Sequence, residues 1–275
     1  MIVGCKYKKE FVFTQKMPYF CIQQNEKRMD TPIKAAEYIR RIEIKALWGK
    51  KHIVWDLFRH VNILSGVNGI GKSSIMNKMA AQLHYLQKKK EAIANNTEMP
   101  DEESLKVPDM DITFSPEDAM YIPFDVIHIG DNGQHMSRLL NLYAYFNDDK
   151  TAFFDWADKL FAVTDKTIVR DSHELLFMQE GELLTIDALS SGERQMLVIL
   201  LTLLVQQKKP CVLFMDEPEI SLHIEWQQQL LKIATQMNPN AQIILITHSP
   251  AVIMDGWMDA VTDVEDITVS TKKGK

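Results

Sequence analysis

Hydrophobic residues recur along the chain with two different periods, and the two periods alternate. Between residues 39 and 47, apolar positions such as Ile42 and Ile44 are separated by charged ones, and this period of two predicts a strand with one buried face. Further strands are predicted at residues 52–57 and 61–64. A helix is predicted next, and its inward-facing positions are Met76, Met79, Ala80, Leu83 and Leu86.

The later part of the chain continues this alternation. Short apolar runs predict strands at residues 125–129, 211–215 and 242–247, and a hairpin is predicted at residues 174–186. The predicted helices are residues 134–164, residues 196–205 and a segment through Trp226, Leu230 and Met237. Strands that alternate with helices indicate an α/β protein with a mostly parallel central sheet and helices on its faces.

Three stretches have weaker patterns. Residues 1–30 alternate only modestly and predict one or two peripheral strands or an extended arm. Residues 87–118 are polar and contain three prolines, so they predict a solvated helix end followed by a loop. The short acidic stretch that follows His248 predicts a solvated helix and loop.

Composition narrows the class of protein. Of the 275 residues, 46% are hydrophobic and 25% are charged, which is ordinary globular usage and excludes disordered and fibrous chains. The longest apolar run, residues 196–205, is far shorter than the roughly 18 residues that span a bilayer. No apolar segment follows the lysines near the N-terminus, and the three cysteines match no disulfide or metal spacing. A cytoplasmic protein without a membrane segment is therefore expected.

Charge is unevenly distributed along the chain. Residues 1–60 contain 13 basic and 6 acidic side chains, whereas residues 61–275 contain 18 and 31. An acidic body is a poor general binder of nucleic acid, but the basic N-terminal portion could face an acidic partner. The alternative interpretation is that these Lys and Arg side chains are solvated strand and loop positions.

A phosphate-binding loop is the first candidate for chemistry. Gly66, Gly71, Lys72 and Ser73 have the spacing of a P-loop, between an apolar strand and an amphipathic helix. Such a loop offers backbone N–H groups to phosphates at a helix N-terminus, Lys adds positive charge, and the hydroxyl can bind Mg²⁺. The motif therefore predicts ATP and Mg²⁺ as cofactors; the alternative is a glycine-rich turn that caps a helix. The further loop positions expected to contact phosphate are Asn68, Gly69 and Ser74.

Two consecutive carboxylates end the apolar run at residues 211–215. Asp216 is then expected at the carboxyl edge of the sheet beside the P-loop, where it can hold Mg²⁺. Glu217 points differently and can accept a proton from attacking water. A polar strand end without chemistry is the alternative interpretation.

A third motif lies between the other two. Ser190 and Glu193 form a predicted capping box at the start of the helix that contains residues 196–205, and this is a sufficient structural explanation. However, Ser190, Ser191 and Gly192 also form a small-residue helix N-terminus, which is an anion site. In a chain that has a P-loop, this indicates a second way of contacting the nucleotide.

The order of these motifs resembles that of ABC-type ATPases. Leu189 to Glu193 is similar to their signature, and Thr247-His248-Ser249-Pro250, after a predicted strand, is similar to their switch histidine region. In place of the Leu-Asp of transporters the chain has Leu222-His223, which resembles the soluble RecF-, SMC- and OLD-like branch. Within that branch the sequence is most similar to the compact ATPases of bacterial antiphage systems of the PARIS and Septu type.

The resemblance implies a P-loop NTPase fold of the ABC-type head, with an antiparallel β subdomain and a helical subdomain. It implies an arm or peripheral strands at residues 1–38 and an ATPase domain at residues 39–275, with a helical lobe at about residues 87–170. Candidates for the adenine contact are Trp48, Lys50 and His52, and Gln134 is the nearest equivalent of the glutamine that follows the strand after the P-loop helix.

The resemblance also implies roles for the motif residues. Lys72 and the loop amides would hold phosphates, Ser73 and Asp216 would hold Mg²⁺, Glu217 would activate water, and His248 would sense the γ-phosphate. ABC-type domains pair head to tail, so each site would be shared between two subunits. The signature residues expected to close on the partner's nucleotide are Ser190, Ser191, Gly192 and Glu193.

Three functions are compatible with these motifs. The first is an ATP-driven switch that forms a homodimer or higher homo-oligomer and controls a separate effector, such as a nuclease or toxin, in antiviral defence. The second is a DNA-repair or chromosome ATPase that clamps DNA, which the acidic body and the short interval between P-loop and signature disfavour. A transporter motor domain is the third, disfavoured by His223. A nuclease centre within the chain is not expected, because the carboxylates after His248 are spread over a short acidic tail.

Overall fold

The computed structural model of the protein describes residues 34–95, 109–119, 122–129, 133–146, 148–254 and 256–269. These residues form a five-stranded parallel sheet, a four-stranded antiparallel sheet and a three-stranded hairpin sheet. The first strands are β1 (Tyr38–Leu47), β2 (Lys51–Asp56), β3 (Val61–Ser65), β4 (Asp111–Ser115), β5 (Asp125–Ile129) and β6 (Lys166–Ile168). The later ones are β7 (Phe177–Gln179), β8 (Glu182–Leu184), β9 (Cys211–Asp216), β10 (Ala241–Ile246), β11 (Val261–Asp263) and β12 (Thr268–Val269).

Helices cover both faces of the parallel sheet. They are α1 (Lys72–Asn95), α2 (Gly133–Ala144), α3 (Thr151–Phe161), α4 (Ser191–Gln206), α5 (Ile224–Met237) and α6 (Pro250–Ile253). None of the helices in the described ranges is both long and apolar enough to cross a membrane.

The parallel sheet has the strand order β11-β3-β10-β9-β5. Apart from Gln242 and the terminal Asp216, strands β9 and β10 are apolar on both faces because each face lies in a different core. Leu213 and Leu245 pack with α4 and α5 on one side, whereas Phe214 and Ile244 face α1 and the antiparallel sheet on the other. The central strands are therefore shielded from solvent along their length, and only their ends are open for chemistry.

The antiparallel sheet has the order β12-β2-β1-β4 and closes the second core. A buried glutamine joins it to the parallel sheet: Gln242 on β10 accepts a hydrogen bond from the N–H of Ile39 and donates one to its carbonyl, both at 2.8 Å. The oxygen and the nitrogen of the Gln242 amide both form hydrogen bonds, and these compensate for the loss of water when the side chain is buried.

The predicted fold class is confirmed, and so are the predicted strands at 39–47, 52–57, 61–64, 125–129, 211–215 and 242–247, to within a residue or two. Three predictions about elements were wrong. Residues 111–115 form a strand paired with β1 and not a loop, and the acidic stretch after His248 contains strands β11 and β12. The helix predicted at 134–164 is two helices, α2 and α3. Residues 1–33 lie outside the described part, so the predicted arm and the boundary at residue 38 stay predictions.

Candidate functional site

The ends of three neighbouring strands bring the predicted motifs together. In the parallel sheet Leu64 on β3 pairs with Ile246 on β10, and Ile246 pairs with Asp216 on β9. The P-loop, the loop that contains His248 and the two consecutive carboxylates therefore all begin within a residue or two of one row across the sheet. Loops that leave the carboxyl ends of parallel strands form the binding crevice of α/β proteins.

Three glycines shape the P-loop. Gly66, Gly69 and Gly71 have φ angles of 137°, 77° and 123°, all in the region that side chains avoid. A Cβ on Gly66 would lie 3.2 Å from Ile70, whereas one on Gly69 would meet nothing within 4 Å, so Gly69 borders open space. The sequence therefore uses glycine both to close the turn and to keep the mouth of the loop clear for a ligand.

The lysine of the P-loop is hydrogen-bonded to the backbone of the loop. Lys72 is buried, and its ammonium group donates to the carbonyls of Gly66 and Val67 at 2.9 and 3.2 Å. Lys72 is also the first residue of α1, so its charge adds to the partial positive charge of the helix N-terminus. A buried ammonium beside an open, glycine-lined turn is suited to an anionic ligand.

The residues present fit a Mg²⁺–nucleotide complex. Asn68 and Ser73 are exposed and Ser74 is half-buried, so the loop presents polar groups at its opening, beside the exposed side chain of Val67. Ser73 and Asp216 could hold Mg²⁺ through a hydroxyl and a carboxylate, ligand types that this cation prefers. Within the described residues no group of three or more His, Cys, Asp and Glu side chains is arranged to hold a metal ion. A phosphate-bound Mg²⁺ requires only one or two protein ligands.

A glutamate and a histidine face each other at the open end of β9 and β10. Glu217 lies directly after β9 with φ of +46°, and its N–H donates to the carbonyl of Ile246 at 2.9 Å. Nε2 of His248 is 3.5 Å from Oε1 of Glu217, and both side chains are partly exposed. A carboxylate and an imidazole at this separation could act together on a water molecule or a phosphate oxygen.

A buried carboxylate, that of Glu219, contacts the loop that carries His248, and it was not among the predicted site residues. Glu219 is buried, and its Oε1 accepts from the hydroxyl of Thr247 at 2.5 Å and from the N–H of His248 at 3.1 Å. The signal in the sequence was weak, because a second glutamate after Glu217 is an unremarkable feature of a polar loop. Only the buried position distinguishes it.

The signature forms the N-terminus of α4, as the capping box predicted. The hydroxyl of Ser190 accepts from the N–H of Glu193, and the Glu193 carboxylate accepts from the N–H of Ser190 at 2.7 Å. The same carboxylate accepts from Thr164 at 2.7 Å and forms a buried ion pair with Lys166 at 2.9 Å. Burial alone would raise the pKa of Glu193, but the hydrogen bonds from Thr164, Ser190 and Lys166 outweigh it and lower that pKa to about 2.

The glycine of the signature allows a close backbone approach. A Cβ built on Gly192 would lie 2.2 Å from the carbonyl oxygen of Ser221, in the loop after Glu217. Gly192 is buried, whereas Ser190 and Ser191 are exposed. The exposed serines could therefore meet a ligand from outside, and the glycine fixes this helix N-terminus to the loop that carries the carboxylates.

Of the three candidates for the adenine contact, Trp48 lies nearest the P-loop. Its ring would touch a Cβ on Gly71 at 3.1 Å, and the side chain is half exposed. His52 is instead hydrogen-bonded to Glu43 at 2.8 Å on the neighbouring strand, and Lys50 lies in the exposed turn. Gln134 lies in the first turn of α2, but its side chain is outside the described part, so its role stays a prediction.

One more carboxylate reaches the P-loop from the end of β11. Asp263 accepts from the hydroxyl of Ser65 at 3.3 Å, and its oxygens lie 3.6 and 3.7 Å from a Cβ placed on Gly66. No sequence signal pointed to this residue, since it lies in the stretch predicted to be a solvated tail.

The fold and the four motifs define a P-loop ATPase of the ABC-type head. The chain belongs to the family described as "AAA domain, putative AbiEii toxin, Type IV TA system", whose model matches residues 114–255, just over half of the chain. The predicted resemblance to the RecF and SMC branch is confirmed by this family and by the fold.

Comparison with known proteins finds further similarities. The chain is 29% identical over 91 residues to "Retron Vc95 probable ATPase" of Vibrio cholerae serotype O1 biovar El Tor, a match over 32% of this chain and 18% of that protein, so it spans under a fifth of the relative's length. A crystal structure of an Smc head bound to the C-winged helix domain of ScpA has a TM-score of 0.52 at 15% identity, covering 86% of this chain and 98% of that one. The SMC head domain from Thermotoga maritima has a TM-score of 0.48 at 15% identity, over 79% and 92%. The first of these structures shows the shared fold.

Proposed function

We propose that the protein binds ATP with Mg²⁺, hydrolyses it, and uses the cycle to control a separate effector. The observation that carries the proposal is the row Leu64, Ile246 and Asp216, which brings the P-loop, Glu217 and His248 to one edge of the sheet. A nucleotide held by the P-loop would have its terminal phosphate directed toward the carboxylates, where hydrolysis requires a base and an electrostatic partner.

The residues of this chain would divide the work. Lys72 and the N–H groups of the P-loop bind and orient the phosphates, and Ser73 with Asp216 would hold Mg²⁺, which supplies neutralisation of phosphate charge when bound. Glu217 accepts the proton of the attacking water. His248, 3.5 Å from Glu217, stabilises the charge that develops on the γ-phosphate.

We further propose that two copies share each site. Ser190 and Ser191 are exposed at the N-terminus of α4, where a helix dipole and free N–H groups favour an anion. A partner subunit could therefore place this N-terminus against the γ-phosphate, and a twofold pair would contain two equivalent sites. Bound ATP then favours the closed pair, and hydrolysis allows the pair to separate. An effector that binds one of these two states better than the other would respond to this difference in free energy.

Charge pairing supports control of a protein effector over clamping of DNA. Five of the seven Lys and Arg side chains in residues 34–60 are within ion-pair distance of a carboxylate. Binding to a phosphate backbone needs unpaired cations. Residues 34–60 therefore offer little of the electrostatic attraction on which DNA binding depends. The pairs are Lys34–Asp118, Arg40–Glu117, Arg41–Asp56, Lys45–Asp111 and Arg59–Glu37.

The names of similar proteins support a role in antiviral defence. The family description refers to a toxin of a type IV toxin–antitoxin system, and the relative from Vibrio cholerae is named a probable ATPase of a retron. Both names point to systems of several components, which is consistent with an effector that is a separate nuclease or toxin.

Measurement of ATP binding and hydrolysis tests the central proposal. We expect Lys72→Ala to lose nucleotide binding, and Glu217→Gln to keep binding while hydrolysis falls by about 10²–10⁴-fold, the usual loss when a general base is removed. Size-exclusion chromatography with ATP should then show a stable closed assembly of Glu217→Gln. Undiminished turnover in Glu217→Gln would remove this residue from its assigned role.

Isolation of partners tests the effector. The Glu217→Gln protein should be recovered from native cells with ATP, and Lys72→Ala serves as the matched control that cannot bind nucleotide. We expect a protein partner that accompanies only the first variant. Recovery of DNA without a protein, with an affinity that falls steeply as salt is raised, would instead favour the clamp.

A further inference from the structure

A buried carboxylate joins the two loops that carry Glu217 and His248. Glu219 is 7% exposed, and its Oε1 accepts from Thr247 and from the backbone N–H of His248. Among the residues that the structure describes, its Oε2 is buried without a hydrogen-bond partner. Burying a carboxylate with an unsatisfied oxygen is unfavourable, so this side chain is poorly explained by stability alone.

A glutamine on α5 joins the same two loops from the other side. Nε2 of Gln227 donates to the carbonyl of Leu222 at 2.9 Å and to that of Glu219 at 3.3 Å, and its Oε1 accepts from the hydroxyl of Ser249 at 2.6 Å. The hydroxyl of Ser249 also accepts from the N–H of Ala251, which caps α6. His248 therefore lies between two residues that are each anchored to the loop after β9.

From these contacts we infer that Glu219 and Gln227 are positioning residues that hold the imidazole of His248 at its distance from Glu217. Glu219 fixes the backbone N–H of His248, and Gln227 fixes Ser249 and the loop that carries Glu219. The inference rests on the proposed function, because His248 is taken to act on the γ-phosphate. According to this inference, two residues of the same chain, Glu219 and Gln227, position His248 through their hydrogen bonds.

The kinetic test compares two pairs of variants. Glu219→Ala and Gln227→Ala should lower kcat for ATP by about 10- to 100-fold, the loss expected for a misplacement of about 1 Å. The KM for ATP should change less than about threefold, because the hydrogen bonds of both side chains go to the loops after β9 and β10. Glu225→Ala and Gln228→Ala, exposed residues of the same helix α5, are the matched controls and should keep wild-type values.

Two further variants separate positioning from a loss of folding. Glu219→Gln keeps a carbonyl oxygen where Oε1 accepts its two hydrogen bonds, so turnover should be largely restored. Thr247→Val keeps the shape of the side chain but removes the hydroxyl, so it should reproduce part of the loss. If Glu219 acts through His248, Glu219→Ala should cause no further loss in a His248→Ala background. Multiplicative losses in the double variant would overturn the inference.

A measurement without nucleotide keeps this test independent of the proposed function. The imidazole proton resonance of His248, assigned by its absence in His248→Ala, should shift in Glu219→Ala and Gln227→Ala and stay unchanged in both controls. A chain that does not hydrolyse ATP would refute the proposed function, yet the shift would still support the positioning of His248. An unshifted resonance in both variants would overturn the inference.

Discussion

At Glu217 the backbone adopts a conformation that few side chains tolerate. Its φ of +46° costs a residue other than glycine about 1–2 kcal/mol, because the Cβ approaches the following carbonyl oxygen. Glycine would relieve that strain, but it would also remove the carboxylate that faces His248. Strained backbone positions that carry a functional side chain are concentrated at active sites and ligand-binding sites.

This strain leads to a paired prediction. Glu217→Gly should raise the free energy of unfolding by up to about 1 kcal/mol, since relief of the left-handed conformation exceeds the entropy that glycine gains when unfolded. The control is Glu180→Gly, a second glutamate at φ of 49°, in the hairpin turn between β7 and β8. Both variants should unfold at higher denaturant concentration, but only Glu217→Gly should lose ATP hydrolysis. Lower stability in both would show that neither backbone is strained.

A second prediction concerns the base of the nucleotide. If Trp48 stacks on adenine beside Gly71, Trp48→Ala should weaken ATP binding by about 1–3 kcal/mol, the usual contribution of an aromatic ring stacked on a base. Phe58→Ala, an exposed aromatic just beyond the end of β2, is the matched control and should leave the Kd unchanged. Equal Kd values for Trp48→Ala and the wild type, measured by titration calorimetry, would exclude stacking.

The sequence predicted the candidate residues that belong to recognisable motifs, and it missed the candidate residues that are defined by packing. Lys72, Asp216 and Glu217 follow short apolar strands, so their positions can be inferred from the chain alone. Glu219 and Gln227 are site residues only because two loops fold over them, and neither has a spacing that differs from that of an ordinary polar position. Their roles required the three-dimensional structure.

At the scale of elements, the N-terminus of α4 is organised around one buried carboxylate. Glu193 caps the helix, pairs with Lys166 and fixes Thr164, so three separate segments meet at one buried carboxylate. The hydrogen bonds to the ionised form lower the pKa of Glu193 from 4.5 to about 2. The signature is thus held by several hydrogen bonds, and both of its serines are exposed.

The depressed pKa predicts a pH dependence of stability. A carboxyl whose pKa is lower in the folded state contributes stability above its unfolded value of about 4.5, and that contribution is lost as the pH falls toward about 2. Glu193→Gln should therefore be less stable than the wild type by about 3 kcal/mol or more at pH 7, because it also leaves Lys166 buried without a counterion. Urea unfolding between pH 7 and pH 3 should show the difference decreasing below pH 4.5. A constant difference would argue against an ionised Glu193.

Element lengths explain which parts of the fold could be predicted. Strands β9 and β10 contain apolar runs of five and four residues, and β3 is apolar at three of its five positions, so their type and position follow from the sequence. Strands β6, β11 and β12 have two or three residues each, too few to establish a period. Strands β11 and β12 pair with the longer strands β3 and β2, whereas β6 pairs with β7, which also has three residues. Strand β4 was hidden by its polar surroundings and by the prolines near it.

For the whole molecule, the central prediction is that active sites are shared between copies. Ser191→Arg should abolish turnover while single subunits keep their affinity for ATP, because Ser191 is exposed and is proposed to contact the nucleotide of the partner subunit. Gln228→Arg, an exposed change on α5, controls for the added charge and should have little effect.

Mixing inactive variants tests this sharing directly. Ser191→Arg combined with Lys72→Ala should recover about a quarter of the wild-type turnover, because half of randomly formed pairs are mixed and each of these has one intact site. Assays should be made at several mixing ratios. A mixture that stays as inactive as its components would mean that each chain works alone.

The late position of β11 and β12 in the chain has a consequence for biosynthesis. Strand β11 completes the edge beside β3 and brings Asp263 to Ser65, while β12 pairs with β2 at the border of the other sheet. Every predicted motif up to His248 is therefore translated before the strand that pairs with β3 beside the P-loop. We expect the P-loop to reach its full affinity for nucleotide only once residues 261–269 have folded against β3 and β2.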